Sequence, residues 1–103
     1  MTDYVLYPTV QRFLKPLSDD DKSKVSDSLI LLEKFGRLLP PPDSKKVSRE
    51  LFELRIRASV QIRLLYGFSG NTALIVHGFI KKTEKILPRD IRLAERRLRT
   101  LAS

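Results

Sequence analysis

The change in hydrophobic period at Leu51 restricts this chain more than any other feature. In LFELRIR, Phe52, Leu54 and Ile56 point one way and Glu53, Arg55 and Arg57 the other, which is the period of a β-strand. In VQIRLLYGF, Val60, Ile62, Leu64, Tyr66 and Phe68 share one face, with Gln61 and Arg63 opposite. After the turn signal Ser69-Gly70-Asn71, the run TALIVHGFI is apolar on both faces and reads as a central strand. Three such strands in succession form a meander.

The residues before it have helical spacing. Tyr4 to Tyr7 read as a short first strand, and Pro8 suits the first turn of a helix carrying Val10, Phe13, Leu14 and Leu17, limited by Pro16. Ser18 is an N-cap candidate followed by Asp19, Asp20 and Asp21, carboxylates that a helix dipole favours at this end. Val25, Leu29, Leu32 and Phe35 continue the apolar stripe, and Gly36 is a C-cap candidate. LLPPPDS, from Leu38 to Ser44, is a stiff connector between helices and sheet. Pro88 to Leu101 predicts a basic amphipathic helix with Asp90 in its first turn and arginines at 89, 92, 96, 97 and 99. The expected fold is α+β: one domain over residues 1–103, an N-terminal helical hairpin packed on a small, mostly antiparallel sheet, and a C-terminal basic helix.

Composition narrows the chemistry. The chain has no cysteine and one histidine, which leaves out thiolate catalysis and thiolate metal sites and gives His77 no partner for a zinc centre. No run approaches the roughly 20 apolar residues of a membrane span, and the start lacks the pattern of a secretory signal, so a cytoplasmic protein without membrane contact is expected. The net charge of +8 is uneven: −1 over residues 1–44, +4 over 45–67 and +5 over 68–103. Such asymmetry points to a polyanionic partner.

With the Phe52 face on the helices, Glu53, Arg55, Arg57 and Arg63 fall together on the opposite, open face. Parity adds His77 and Phe79, and Lys81 and Lys82 follow at the strand exit. Arginine's planar fork suits phosphate, and lysine adds a point charge. Two arginines on one open face repel unless an anion joins them. Attack by the 2′-hydroxyl of RNA on its own phosphodiester needs only a base, cations around the phosphorane and an acid, so neither metal nor cofactor is required. Phe79, Tyr66 or Phe68 would stack a splayed base. The candidate catalytic residues are Glu53, Arg55, Arg63, His77 and Lys82; the candidate RNA-binding residues are Arg57, Phe79, Lys81, Lys85 and Arg89. The bland alternatives are a cross-strand ion pair for Glu53, a satisfied semi-buried imidazole for His77, core packing for Tyr66 and a solvated face for the last helix.

ELFELRIR, IRLLY and IVHGFIKKTEKILPRDIRLAERR together resemble the RelE/HigB group of toxins from bacterial type II toxin–antitoxin pairs. The likeness is to the phage-related HigB-like branch, with its L-[WF]-E-L-R, R-x-x-Y and [HA]-x-F-x-K-K-T strands. It extends from Ser48 to Arg97. The resemblance implies a RelE-like compact domain with a twisted sheet and ribosome-dependent cleavage of mRNA. It further implies a cognate antitoxin, a helix-turn-helix protein of HigA type. By the same resemblance Arg55 and Arg63 match phosphate-binding cations, Lys81 and Lys82 the basic strand end, and Glu53 a frequent carboxylate. The tyrosine or histidine that several relatives carry near the chain end has no equivalent, because no Phe, Tyr or His follows Phe79. The acid/base role then falls to Glu53, His77 or a lysine. Two alternatives remain: a ParE-like inhibitor of DNA gyrase on the same scaffold, and a non-catalytic basic nucleic-acid-binding module.

Overall fold

The computed structural model describes residues 1–102. Its elements are β1 (Asp3–Leu6), α1 (Pro8–Leu14), α2 (Asp19–Phe35), a 3₁₀ turn over Gly36–Leu38, β2 (Ser44–Lys46), β3 (Phe52–Arg57), β4 (Gln61–Ser69), β5 (Thr72–Ile80) and α3 (Pro88–Ala102). The expected α+β architecture is what forms. Strands β3, β4 and β5 are the antiparallel meander, β1 joins β5 in parallel, and the sheet order is β1-β5-β4-β3-β2. Ser18 caps α2, its hydroxyl accepting from the Asp21 amide, and Gly36 ends the helix with φ of 53°. No helix among the described residues is long and apolar enough to cross a membrane.

Strand β2 is absent from the sequence-based expectation. Ser44-Lys45-Lys46 has no apolar alternation; it pairs with β3 because the Pro-rich segment delivers it there, and the Ser44 hydroxyl shares a buried hydrogen bond with the Tyr66 phenol. Burial pushes the Tyr66 phenol up, against the lowering effect of that bond. Tyr66 is therefore a core residue.

The sheet is covered on both faces, which corrects the expectation of one open face. On the first, Val10, Val25, Leu29 and Leu32 of α1 and α2 pack on Leu54, Ile56, Ile62, Leu64 and Ile75. On the second, Ala94 and Leu98 of α3 cover Leu51, Leu65, Leu74 and Val76. A bulge makes this possible: Leu65 pairs with His77 and Tyr66 with Ile75, so Val76 is the extra residue of β5. Gly67 lets the helix sit close, since a Cβ there would lie 2.5 Å from a Leu98 methyl and 2.8 Å from the Glu50 carbonyl. Helix α3 covers only part of that face, and the uncovered part carries the charged residues.

The tip of the β3–β4 hairpin is tied to α2. The Asp21 carboxylate accepts from the Ser59 hydroxyl at 2.5 Å and from the Ser59 amide at 3.0 Å. Those two bonds hold the Asp21 carboxyl below its ordinary value of 3.8; burial opposes them, and Ser18 and Lys24 assist. A folded-state pKa below the unfolded one gives stability that is present above the unfolded value and lost as pH falls through the folded one. Asp21→Asn is accordingly expected to unfold at lower urea than the parent at pH 7, with the difference shrinking as pH drops below 3.8. A difference independent of pH would contradict this linkage.

Candidate functional site

The register places the predicted residues in rows across the second face. Glu53, Leu65 and His77 form one row, Arg55, Arg63 and Phe79 the next, and Arg57 and Gln61 a third, extended by the Lys81 amide, which donates to the Gln61 carbonyl at 2.8 Å. Directly paired residues on a face have Cβ atoms about 4.5–5.5 Å apart. The first row runs under α3 and the third is the rim, so the middle row is where a ligand and the sheet can meet.

Glu53 organises the arginines. Arg55 Nε donates to Glu53 Oε1 at 2.8 Å, and Arg63 Nε stands 3.6 Å from Glu53 Oε2, beyond hydrogen-bond range. Glu53 is almost fully buried, with 1% of its side chain exposed against 9% for Arg63 and 25% for Arg55. The anion that joins the two arginines is thus supplied by the protein. Arg63 is held from below, its Nη1 donating to the Ile62 carbonyl at 3.0 Å. Burial lowers its pKa, Glu53 works in the opposite direction, and Arg55 and Arg57 add to the lowering. Arg63 lies behind the surface, while Arg55 reaches it.

Two adjoining concavities border this cluster. One, of about 270 Å³, is lined by Glu53, Arg55, Lys81 and Lys85 together with Lys45, Lys46 and Ile91. The other, of about 370 Å³, is lined by Phe79, Lys81, Lys82, Lys85, Arg89 and Asp90. Lys81 and Lys85 belong to both. Of the predicted residues, Arg57 lines neither of these concavities; it lines another with Lys24, Asp43 and Arg55. Phe68 is also remote, at the opposite end of the sheet under the Arg37 guanidinium, 4.3 Å from its ring centre. Phe79 is the aromatic residue the structure leaves at the site.

His77 is half-buried and held on two sides. Its Nε2 is 2.8 Å from Asp90 Oδ1, and its ring stacks on Phe79 with 5.6 Å between centroids. The N-terminal turn of α3 thereby fixes one nitrogen of the imidazole. Asp90 as a partner of His77 was not foreseen, since an acidic residue in a first helical turn is fully accounted for by the helix dipole. Lys45 and Lys46 were missed because β2 was.

This chain shows a buried carboxylate bridging paired arginines on a short antiparallel sheet, with a lysine pair at the strand end and helices on both faces. Residues 12–99 match the family described as Phage derived protein Gp49-like (DUF891). The chain belongs to that family. No curated protein matches the sequence. Gp49-like proteins are RelE-like toxins of toxin–antitoxin systems, which agrees with the resemblance carried by the three strand motifs and gives this chain an antitoxin as a partner in general. The Gp49-like match begins within α1 and ends within α3, so it takes in every strand of the meander and both concavities.

Proposed function

We propose that this Gp49-like protein is a cytoplasmic, ribosome-dependent mRNA endoribonuclease of the HigB-like branch, held inactive by a helix-turn-helix antitoxin of HigA type. The observation that carries the proposal is the convergence of Arg55, Lys81 and Lys85 on one concavity, with Asp90, the partner of His77, lining the adjoining one. A base takes the 2′-hydroxyl proton, the oxygen attacks phosphorus, and the departing 5′-oxygen is protonated, leaving a 2′,3′-cyclic phosphate and a 5′-hydroxyl. Arg55 and Lys81 stabilise the charge on the equatorial oxygens. Glu53 acts beneath them by fixing Arg55, with Arg63 as its second counterion. His77, oriented by Asp90, is the proton-transfer group, Lys82 and Arg89 guide the strand, and Phe79 takes a base against its ring. Neither cofactor nor metal enters this sequence of steps.

The test is to add the purified protein to a reconstituted translation reaction and map mRNA 5′ ends by primer extension. Ribosome-free mRNA and a gyrase supercoiling reaction serve as controls. New ends that require translating ribosomes support the proposal. Inhibited supercoiling without cuts would replace it by a ParE-like activity, and the absence of both effects would leave a basic nucleic-acid-binding module.

A further inference from the structure

Helix α3 carries a feature that the cleavage chemistry does not use. Arg89, Arg92, Arg96 and Arg99 are all exposed, and at 100° per residue they fall within an arc of roughly 80° on one side of the helix. Neighbours in this stripe stand about 5–6 Å apart, comparable with the separation of successive phosphates along a nucleic-acid strand. Among the described residues no carboxylate comes within ion-pair distance of any of the four. The only two acidic side chains of α3 do not relieve them: Asp90 is engaged by His77, and Glu95 pairs with no cation.

The arrangement is unfavourable for the helix itself. Like charges three and four residues apart repel, and Arg89 and Arg92 lie near the N-terminal end, where the helix dipole disfavours cations. A solvated face aligns polar residues on one side of any amphipathic helix, but it does not require that all four be arginines with no carboxylate paired to them. The stripe also has two defined ends. Arg89 lines the concavity of Lys81, Lys82 and Lys85. Arg99 lines a concavity of about 680 Å³ together with Lys46, Arg49 and the Arg37–Phe68 pair. Arg37 is fixed there, donating from Nη2 to the Gly70 carbonyl at 3.0 Å while lying over the Phe68 ring.

From this geometry we infer that the exposed side of α3 is a track for single-stranded RNA, along which the substrate strand leaves the cleavage site and runs toward the Arg37–Phe68 concavity. The track is about 15 Å long between Arg89 and Arg99 at the helical rise. It binds phosphates, so it is indifferent to sequence and sensitive to salt. A guanidinium and an aromatic ring at its far end give a base something to stack on. The inference rests on the proposed RNA substrate and adds the route of the strand outside the site.

The test uses the full chain and 2′-O-methyl oligoribonucleotides, which cannot be cleaved, of roughly 4 and 12 nucleotides, within the site sizes usual for single-strand binders. Fluorescence anisotropy as a function of salt is measured for the parent and for Arg92→Gln/Arg96→Gln/Arg99→Gln, with circular dichroism as the folding check. The parent is expected to bind the longer probe at least tenfold more tightly. The triple variant should lose most of that gain, keep its affinity for the short probe, and show a salt slope shallower by about 2, near 0.7 for each phosphate contact removed. Equal affinity of the parent for both lengths, or an unchanged slope in the variant, would overturn the inference. So would a deca-glutamate peptide that binds as tightly as RNA and loses affinity equally in the variant, since the stripe would then fit an acidic protein segment. Primer extension on the same proteins keeps the two proposals apart: length-dependent binding without cleavage sinks the nuclease and leaves the track standing, whereas cleavage without length dependence does the opposite.

Discussion

Arg55→Ala is expected to lower ribosome-dependent mRNA cleavage by roughly 10²–10³-fold, the usual cost of removing one preorganised group that stabilises transition-state charge. Arg55 is the member of the arginine pair that reaches the concavity, a quarter exposed, while its Nε is fixed by Glu53 at 2.8 Å. A cation held in that way loses little freedom when substrate arrives, so its stabilisation falls on the transition state. Folding should survive at reduced stability: Glu53 keeps Arg63 as a counterion at 3.6 Å but loses its hydrogen-bond donor, and an unsatisfied buried acceptor costs about 1–3 kcal/mol. Arg55→Lys should fall between parent and alanine: it keeps the charge and loses the planar fork that engages carboxylate and phosphate together. Primer extension in the reconstituted reaction measures both, with the thermal midpoint of each variant as the control. Unchanged cleavage in Arg55→Ala would move the site elsewhere on the molecule.

The meander was legible in the sequence because its evidence is local. Phe52, Leu54 and Ile56 alternate with charged residues, and the Ser69–Asn71 turn follows the second strand directly. Ser18 and Gly36 were legible for the same reason, since a cap is a property of a few neighbouring residues. What escaped depends on distant parts of the chain. Ser44-Lys45-Lys46 becomes a strand through Tyr66 and the β3 edge. The docking of α3 on Leu65, Leu74 and Val76 depends on Gly67 admitting Leu98 and on a bulge at Val76, and neither leaves a periodic trace. Alternation correctly placed Arg63, His77 and Phe79 on one face. It carried no information on how much of that face a third helix would cover. The partnership of His77 with Asp90 joins residues on two elements, and each alone has an ordinary explanation.

The second large effect concerns Glu53. Glu53→Ala is expected to destabilise the fold by about 3–5 kcal/mol, the range for removing one partner of a buried ion pair. That is a large share of the 5–15 kcal/mol typical of a whole domain. Arg63 is 91% buried by its side chain and its charged form is already disfavoured there, with Glu53 the one group acting to retain it. Without the carboxylate, Arg63 faces Arg55 and Arg57 with no anion between them. The same account predicts a rescue: Glu53→Leu/Arg63→Met removes both charges and fills similar space, which in buried pairs is often neutral or better, so the double variant should unfold within about 2 kcal/mol of the parent. Urea unfolding of the parent, Glu53→Leu, Arg63→Met and the double variant forms a closed cycle. Losses that simply add would mean that Glu53 is not the counterion of Arg63. Glu53→Gln then separates structure from chemistry. It keeps the volume and an acceptor for Arg55, so below its own unfolding temperature it should retain cleavage within about tenfold, whereas a general base replaced by an amide would cost 10²–10⁴-fold by the usual range. Loss of that size would transfer proton abstraction from His77 to Glu53 and make the buried carboxylate the reacting group, with Arg55 moving aside to expose it.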